Sequence, residues 1–173
     1  GDKDLISNLG NSIRFKNMKI TDFVANTNKA VEEQFSGITI HISDEEIYVS
    51  FIGTDATIVG WKEDFNMTFM DTIPAQKKGQ EYLEEIAKKY PKCNIRIGGH
   101  SKAGNVAIYS AINAPTEIQN RIISVCNYDG PGFNKEVIES VKNKEIINKI
   151  HTFIPQDSVI GRLLEHKEKV LQV

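Results

Sequence analysis

The chain has 173 residues, of which 40% are hydrophobic and 25% charged, and its formal net charge is -2 at pH 7. These values are ordinary for a single globular domain. The charges form no large block of one sign, which argues against a nucleic-acid partner because such partners usually require a basic face. The apolar runs are strand-sized and shorter than the roughly 20 residues that cross a bilayer, so no transmembrane segment is predicted.

The start of the chain and its cysteines bear on the cellular compartment. No charged and then apolar leader opens the sequence, so no secretory signal is predicted. The two cysteines, Cys93 and Cys126, have no metal-like spacing and indicate no disulfide framework. We therefore expect a cytoplasmic protein without a bound metal.

The first third of the chain predicts a lead-in and a hairpin. Residues 1–34 mix charged and scattered apolar side chains, and we expect an irregular or helical lead-in with a short helix over 20–30. From residue 35 to residue 42 apolar and polar residues alternate, which predicts a strand with one polar face. After a polar turn, residues 47–52 predict a second strand that pairs with the first.

The remainder of the chain alternates between helix and strand. Apolar residues at helical spacing predict helices over 76–90, 105–113 and 134–142. Runs rich in β-branched residues predict strands over 94–98, 122–128, 150–154 and 169–173. This alternation predicts an α/β fold with a mainly parallel sheet and helices on both faces. We interpret residues 35–173 as a single core, which could be truncated at its C-terminus.

A strand-to-helix turn at Ser101 has the features of a nucleophile elbow. The strand over 94–98 leads into Ser101, and a helix begins near Lys102. Such a turn is so tight that the residues two before and two after the serine must be small. Gly99 and Ala103 occupy those positions, so the usual G-x-S-x-G pattern carries alanine at its last place. The hydroxyl then projects away from its neighbours, and the helix N-terminus faces the reacting oxygen.

A glycine-rich turn could also serve only for close packing or for binding a phosphate. The segment lacks the spacing of a Walker loop and the glycine triplet of a dinucleotide fingerprint. Motif and context agree on a nucleophilic serine, and we favour that interpretation.

The segment over 99–105, Gly-His-Ser-Lys-Ala-Gly-Asn, resembles the elbow of a bacterial family of lipase-like α/β hydrolases, in which glycine usually stands where Ala103 is. Further segments resemble the same family in the same order: Phe-Ile-Gly-Thr-Asp at 51–55, Gly-Trp-Lys-Glu-Asp-Phe-Asn-Met at 60–67, Pro-Gln-Asp-Ser-Val-Ile-Gly at 155–161 and Leu-Leu-Glu-His at 163–166.

The segment over 51–55 is also similar to a phenylalanine-arginine-glycine-threonine segment of class 3 lipases, with Ile52 in place of the arginine. The resemblance covers about residues 35–173. It implies an α/β-hydrolase fold and lipase-like or esterase-like activity, and the family has no assigned substrate.

Ester hydrolysis builds negative charge on the carbonyl oxygen, so two N–H donors are expected beside the nucleophile. One should be the backbone N–H of Lys102, directly after Ser101. The second should come from the loop that leaves the earlier strand, where Thr54 lies. The alternative, that Gly53 and Thr54 only end a strand, stays open.

Two aspartates are candidates for the acid. Asp129 follows the strand after the elbow helix, and its Tyr-Asp-Gly-Pro-Gly setting resembles the acid loop of pancreatic-type lipases. Asp157 follows the next strand, where class 3 lipases carry their acid. Both lie at carboxyl ends of strands, the edge at which such sheets place ligands, although either could simply cap a turn. We favour Asp157 by a small margin.

The base is the least defined member of the site. His100 adjoins the nucleophile and would point away from it, while His41 and His151 lie within predicted strands. His166 stands in a loop after Asp157 and is a candidate. In this fold the base normally follows the last core strand, however, so a histidine beyond Val173 is the alternative.

Together these residues predict a serine hydrolase that acts on a carboxylic ester, a small acyl ester or a lipid, through an acyl-enzyme on Ser101. The catalytic candidates are Ser101, Asp157, His166 and Asp129, and the chemistry needs no cofactor. The alternatives are a non-catalytic binding protein that keeps the hydrolase fold, and a thioesterase or peptidase that uses the same nucleophile. The oligomeric state is not predicted.

Overall fold

The computed structural model describes residues 2–28, 33–53, 72–141 and 143–173. Its strands form one seven-stranded sheet in which the spatial order equals the chain order. The strands are β1 (Lys19–Asn28), β2 (Glu33–His41), β3 (Glu46–Ile52), β4 (Asn94–His100), β5 (Ile122–Tyr128), β6 (Ile150–Ile154) and β7 (Lys169–Gln172). Strands β1 to β3 run antiparallel, whereas β3 to β7 run parallel.

Helices precede the sheet and lie between its parallel strands. They are α1 (Asp2–Asn11), α2 (Pro74–Lys89), α3 (Lys102–Asn113), α4 (Thr116–Arg121), α5 (Lys135–Glu139) and α6 (Lys144–Ile147), and a short 3₁₀ helix spans Ile160–Arg162. Within the described residues, no helix is both long enough and apolar enough to cross a membrane.

One face of the sheet forms the main core. Ile47, Val49 and Phe51 alternate along β3 and are buried on this face, where α2 and α3 pack against the sheet and against each other. The residues between them point to the opposite face, as strand geometry requires. On that face a groove of about 970 Å³ separates α1 from β2, β3 and β4, and its lining includes Ile6, Ile40 and Tyr48.

The predicted fold class is confirmed, because the sheet is mainly parallel and carries helices. The predicted hairpin over 35–52 is also present, with Ile38 opposite Ser50 in the antiparallel pair of β2 and β3. The helix α1 lies in the segment for which an irregular or helical lead-in was expected. The short helices α4 and α6 were not predicted, since each is too short to show a strong apolar period.

The helix expected over 20–30 is wrong, because β1 occupies Lys19–Asn28 and pairs with β2. The segment contains β-branched residues that suit a strand, and pairing across the sheet decides between the two conformations. A register shift lies between Thr21 and Val24, where Asp22 has a positive φ of 57°. The sheet therefore extends to Lys19, well before residue 35.

The parallel strands place several loops at one edge of the sheet. Because β3, β4, β5 and β6 run in the same direction, their carboxyl ends at Ile52, His100, Tyr128 and Ile154 share that edge. Ser101, Asp129 and Asp157 each follow one of these ends. This is the edge at which parallel sheets usually hold their ligands.

Two neighbouring isoleucines of β5 test the core. Ile122 is 1% exposed, whereas Ile123 is 39% exposed. We expect Ile122→Ala to lower the free energy of unfolding by about 2–5 kcal/mol, because it removes buried methyl groups and leaves a cavity. The matched control Ile123→Ala should cost less than about 1 kcal/mol. Urea denaturation measures both, and equal losses would contradict the assignment of the buried face.

Candidate active site

Ser101 is the single residue between β4 and α3. Its backbone has φ 58° and ψ −131°, a conformation that costs energy in a residue with a side chain. Two hydrogen bonds hold it there: its N–H donates to the Tyr128 carbonyl at 2.8 Å, and its own carbonyl accepts from the Gly104 N–H at 2.9 Å. Among the residues that the structure describes, the Ser101 hydroxyl has no hydrogen-bond partner. It is half-exposed at the carboxyl edge of the sheet.

The small residues around Ser101 are required by contact. A Cβ atom added to Gly99 would lie 2.5 Å from both the carbonyl carbon and the carbonyl oxygen of Ala103, and 2.7 Å from its methyl group. These distances are too short for any side chain at position 99. Ala103 is itself buried, and its methyl group fits against Gly99. Alanine therefore satisfies the steric demand at the position where the pattern usually has glycine.

One of the two residues predicted to supply an N–H donor comes directly after Ser101. Lys102 is the first residue of α3, and it is buried. Gly53, at the end of β3, approaches the chain next to Ser101 so closely that an added Cβ would lie 2.9 Å from the His100 carbonyl oxygen. The loop after β3 thus begins beside the serine turn. Thr54 lies outside the described residues.

The aspartate Asp129 follows β5 and has a positive φ of 56°. Its backbone N–H donates to the Phe153 carbonyl at 2.8 Å. One oxygen of its carboxylate accepts hydrogen bonds from the Ser158 hydroxyl and, at 3.2 Å, from the Gly161 N–H. Asp129 therefore ties the end of β5 to the loop that follows β6.

Asp157 lies in that loop and is exposed. Its carboxylate has no hydrogen-bond or ion-pair partner within the described part of the chain. The neighbouring Gln156 donates its N–H to the Val173 carbonyl at 3.0 Å, and the Val173 N–H donates to the Ile154 carbonyl at 3.0 Å. Asp157 therefore lies near the carboxyl end of β7.

His166 contacts the loop behind the site rather than the serine. Its Nδ1 lies 2.7 Å from Oε1 of Glu168, and its Nε2 lies 2.8 Å from the Gly161 carbonyl oxygen. Burial lowers the pKa of His166, but the hydrogen bond and charge of Glu168 and the bond to Gly161 outweigh it, so the pKa is raised. Burial raises the pKa of Glu168, but the bonds from His166 and Thr152 outweigh it, so that pKa is lowered.

None of the other histidines hydrogen-bonds Ser101 in the described part of the chain. His41 contacts Thr21 and Tyr90 near the far end of β2. His100 is exposed and His151 is half-buried on β6. All of the histidines of the sequence lie within the described ranges, and none of them hydrogen-bonds Ser101 there. In these same ranges, no group of three or more His, Cys, Asp or Glu side chains could hold a metal ion.

Buried polar residues behind the site were missed by the sequence analysis. The side-chain amide of Asn127 accepts from the Gly130 N–H at 2.9 Å and donates to the Gly130 carbonyl at 3.1 Å. Asn105 donates to the carbonyls of Pro131 and Gly132, and it accepts from Gln76. The sequence signal that could have found them is an amide side chain at an inward-facing position of β5 or α3. A polar group buried at such a position needs hydrogen-bond partners.

Solved structures of lipases share this fold. The chain matches M37 lipase with a TM-score of 0.66 and 16% identity, over 92% of this chain and 61% of that one. It matches a fungal lipase solved with an inhibitor with a TM-score of 0.60 and 13% identity, over 92% of this chain and 67% of the lipase. It matches lipase II from Rhizopus niveus with a TM-score of 0.60 and 14% identity, over 84% of this chain and 60% of the lipase. At these identities the likeness shows the fold, and the chain spans about three fifths to two thirds of each lipase.

The search of curated proteins finds no match. A family model does match, and it covers residues 9–173, which include every strand of the sheet and the Ser101 turn. The chain therefore belongs to the Mbeg1-like family.

Proposed function

We propose that this protein is a serine hydrolase of the lipase or esterase type, with Ser101 as its nucleophile. The observation that carries the proposal is the strained turn at Ser101, which sits between Gly99 and Ala103 at the carboxyl edge of a lipase-like sheet. Strained backbone is retained where the surrounding structure enforces it, and it clusters at active sites. A hydroxyl without a partner at such a turn is suited to attack a substrate.

The reaction would proceed through an acyl-enzyme. Ser101 attacks the carbonyl carbon of a small acyl ester or a lipid ester, a base takes its proton, and the alcohol leaves. The backbone N–H of Lys102 and an N–H from the loop after β3, at Thr54, would stabilise the oxyanion. Water then releases the acyl group. No step of this chemistry requires a cofactor.

We assign the acid to Asp157 rather than to Asp129. Asp157 lies on the second strand end beyond Ser101, is exposed, and has no partner among the described residues. The carboxylate of Asp129 already accepts bonds from Ser158 and Gly161. Because Gln156 and Val173 are hydrogen-bonded, any residue that follows β7 would leave the sheet next to Asp157.

We propose that the base is supplied from outside these 173 residues. His166 was the candidate within the chain, but both of its nitrogens contact Glu168 and Gly161. A general base must reach the serine hydroxyl directly or through one water. The solved lipases that share the fold are longer than this chain, which leaves room for such a residue.

The second candidate function is a non-catalytic binding protein that keeps the hydrolase fold. It is favoured by the observation that no histidine of the described residues hydrogen-bonds the Ser101 hydroxyl. The two candidates differ in whether Ser101 reacts with a fluorophosphonate.

The nucleophile is tested by substitution. We expect Ser101→Ala to abolish fluorophosphonate labelling and to lower ester turnover by about 10⁵-fold or more, as loss of the nucleophile does in other serine hydrolases. Ser50→Ala, on β3 and away from the edge, is the matched control and should leave both unchanged. Labelling that survives Ser101→Ala would place the nucleophile elsewhere.

The acid is tested by comparing two carboxylates. Asp157→Asn should lower kcat by about 10⁴-fold, because the amide holds the imidazole in the wrong tautomer. Asp129→Asn should lower it far less while reducing stability, since it weakens the bonds to Ser158 and Gly161. The kcat values of the two variants are compared in a form of the protein that hydrolyses p-nitrophenyl esters. The reverse ranking at unchanged thermal stability would transfer the role to Asp129.

The base is tested on the 173-residue chain itself. We expect slow labelling of Ser101, both in the native chain and in His166→Ala, that is accelerated in both by free imidazole, which can act as a soluble base. A longer form of the protein with a histidine after β7 should label rapidly without added imidazole. Fast labelling of the 173-residue chain that disappears with His166→Ala would make His166 the base.

A further inference from the structure

The ring nitrogens of His166 both face hydrogen-bond acceptors. Nδ1 lies 2.7 Å from a carboxylate oxygen of Glu168, and Nε2 lies 2.8 Å from the carbonyl oxygen of Gly161. A neutral imidazole has one N–H and one lone pair, so it can satisfy only one acceptor. Both contacts are favourable only when both nitrogens carry a proton. The arrangement therefore requires the imidazolium form of His166.

Glu168 is fixed as an anion by a second donor. The hydroxyl of Thr152 on β6 donates to the same oxygen, Oε1, at 2.6 Å. Thr152 can donate in this direction because its own oxygen accepts from the side-chain amide of Asn127 at 3.3 Å. An oxygen that accepts two hydrogen bonds in a buried site is best provided by an ionised carboxylate. The side chains of His166 and Glu168 are only 10% and 7% exposed.

The ion pair connects three parts of the site. From Glu168, at the start of β7, the bonds run through Thr152 to Asn127 at the end of β5, whose amide holds Gly130. From His166 they run to the carbonyl of Gly161, and the N–H of the same glycine donates to Asp129 at 3.2 Å. Asp129 follows Tyr128, whose carbonyl accepts the Ser101 N–H. Each bond in the series is between described residues.

We propose that His166 is a positioning residue, which as an imidazolium paired with Glu168 holds the loop over 158–165 so that Gly161 and Ser158 fix Asp129 beside the Ser101 turn. The proposal rests on the proposed function only in calling that turn catalytic. Val159, Ile160 and Leu163 of this loop are exposed, so packing contributes little there. Backbone bonds from Gly132 and Phe133 hold the loop at Leu163 and Glu165, and the His166 ion pair adds a bond at the Gly161 carbonyl.

Other charged groups near His166 do not compete with Glu168. Glu165 and Lys167 flank it in sequence and are exposed. Thr152, from β6, is neutral, and Asp129, from the end of β5, is reached only through Gly161. The charge that faces the imidazolium is therefore that of Glu168.

The pair is intact only between two pH limits. The pKa of His166 is raised above its usual 6.5, so its contribution is present at pH values below 6.5 and is lost as the pH rises through the raised value. The pKa of Glu168 is lowered below its usual 4.5, so its contribution is lost as the pH falls through the lowered value. The loop should be ordered at mildly acidic pH and loosen as the pH rises through the raised pKa of His166.

Nuclear magnetic resonance on the ¹⁵N-labelled chain tests the proposal. At pH 6 both ring nitrogens of His166 should be protonated, and the ring should titrate above 6.5. Exchange of the Gly161 amide should be faster by on the order of tenfold in His166→Ala and in Glu168→Gln. His151→Gln, a histidine on β6 without these contacts, is the matched control. Amides of Ile97 and Val125 in the core should be unaffected in every variant.

The pH profile separates a positioning role from general packing. In the native chain, protection of Gly161 should fall as the pH rises through the His166 titration. His166→Gln keeps a neutral donor of similar size, so it should retain part of the protection and lose the pH step. A ring with one bare nitrogen at pH 6, or Gly161 exchange that ignores His166→Ala, would overturn the proposal.

The same measurements are independent of catalysis. Ser101→Ala should show the same titration of His166 and the same exchange at Gly161. If Ser101 never reacts with a fluorophosphonate while these NMR results hold, the hydrolase proposal fails and the positioning of Asp129 stands. If Ser101 reacts with a fluorophosphonate and Gly161 exchange is insensitive to His166, the hydrolase proposal stands and the positioning proposal fails.

Discussion

The contact between Gly99 and Ala103 brings the end of β4 against the first turn of α3, and the geometry of the site follows from that closeness. The chain has only Ser101 in which to change from strand to helix, so this residue takes the positive φ. A side chain at position 99 would meet the backbone of Ala103 and push α3 away from the sheet. Because protein interiors are close-packed, such a shift would spread to the neighbouring strand ends.

Hydrogen bonds from buried amide side chains fix the conformation of the loop after β5, as apolar packing fixes the core. Asn105 and Asn127 form side-chain hydrogen bonds with backbone atoms of residues 130–132. Gln76 continues the series by accepting from the Ile73 N–H. A buried polar network stabilises one arrangement because every partner lost leaves an unpaired group. The loop after β5 is thereby held to α2 and α3 through directional bonds.

The order of strands and helices could be predicted because apolar periodicity is strong in β3 to β6 and in α2. The Ser101 turn could be predicted as well, since its small residues are a local requirement. The conformation of residues 19–28 could not, because it depends on pairing with β2. The partners of His166 were equally hidden. Glu168 is only two residues away, but its orientation depends on Thr152, which comes from another strand.

The strand order has a consequence for the two faces of the sheet. From β3 to β7 each crossover steps one place in the same direction, and parallel crossovers are almost always right-handed. Helical crossovers of one hand that step in one direction pass on the same side of the sheet, as the contacts of α3 with α2 and with α6 show for the described residues. The other side carries the stacked rings of Tyr128 and Phe153, with centroids 5.3 Å apart.

Among the described residues, α1 is the helix that lies on that second side, next to β2, β3 and β4. The two sides therefore depend on different parts of the chain. The helices between the parallel strands cover the side that carries the core and supports the Ser101 turn, whereas α1, which precedes the sheet, lies on the other.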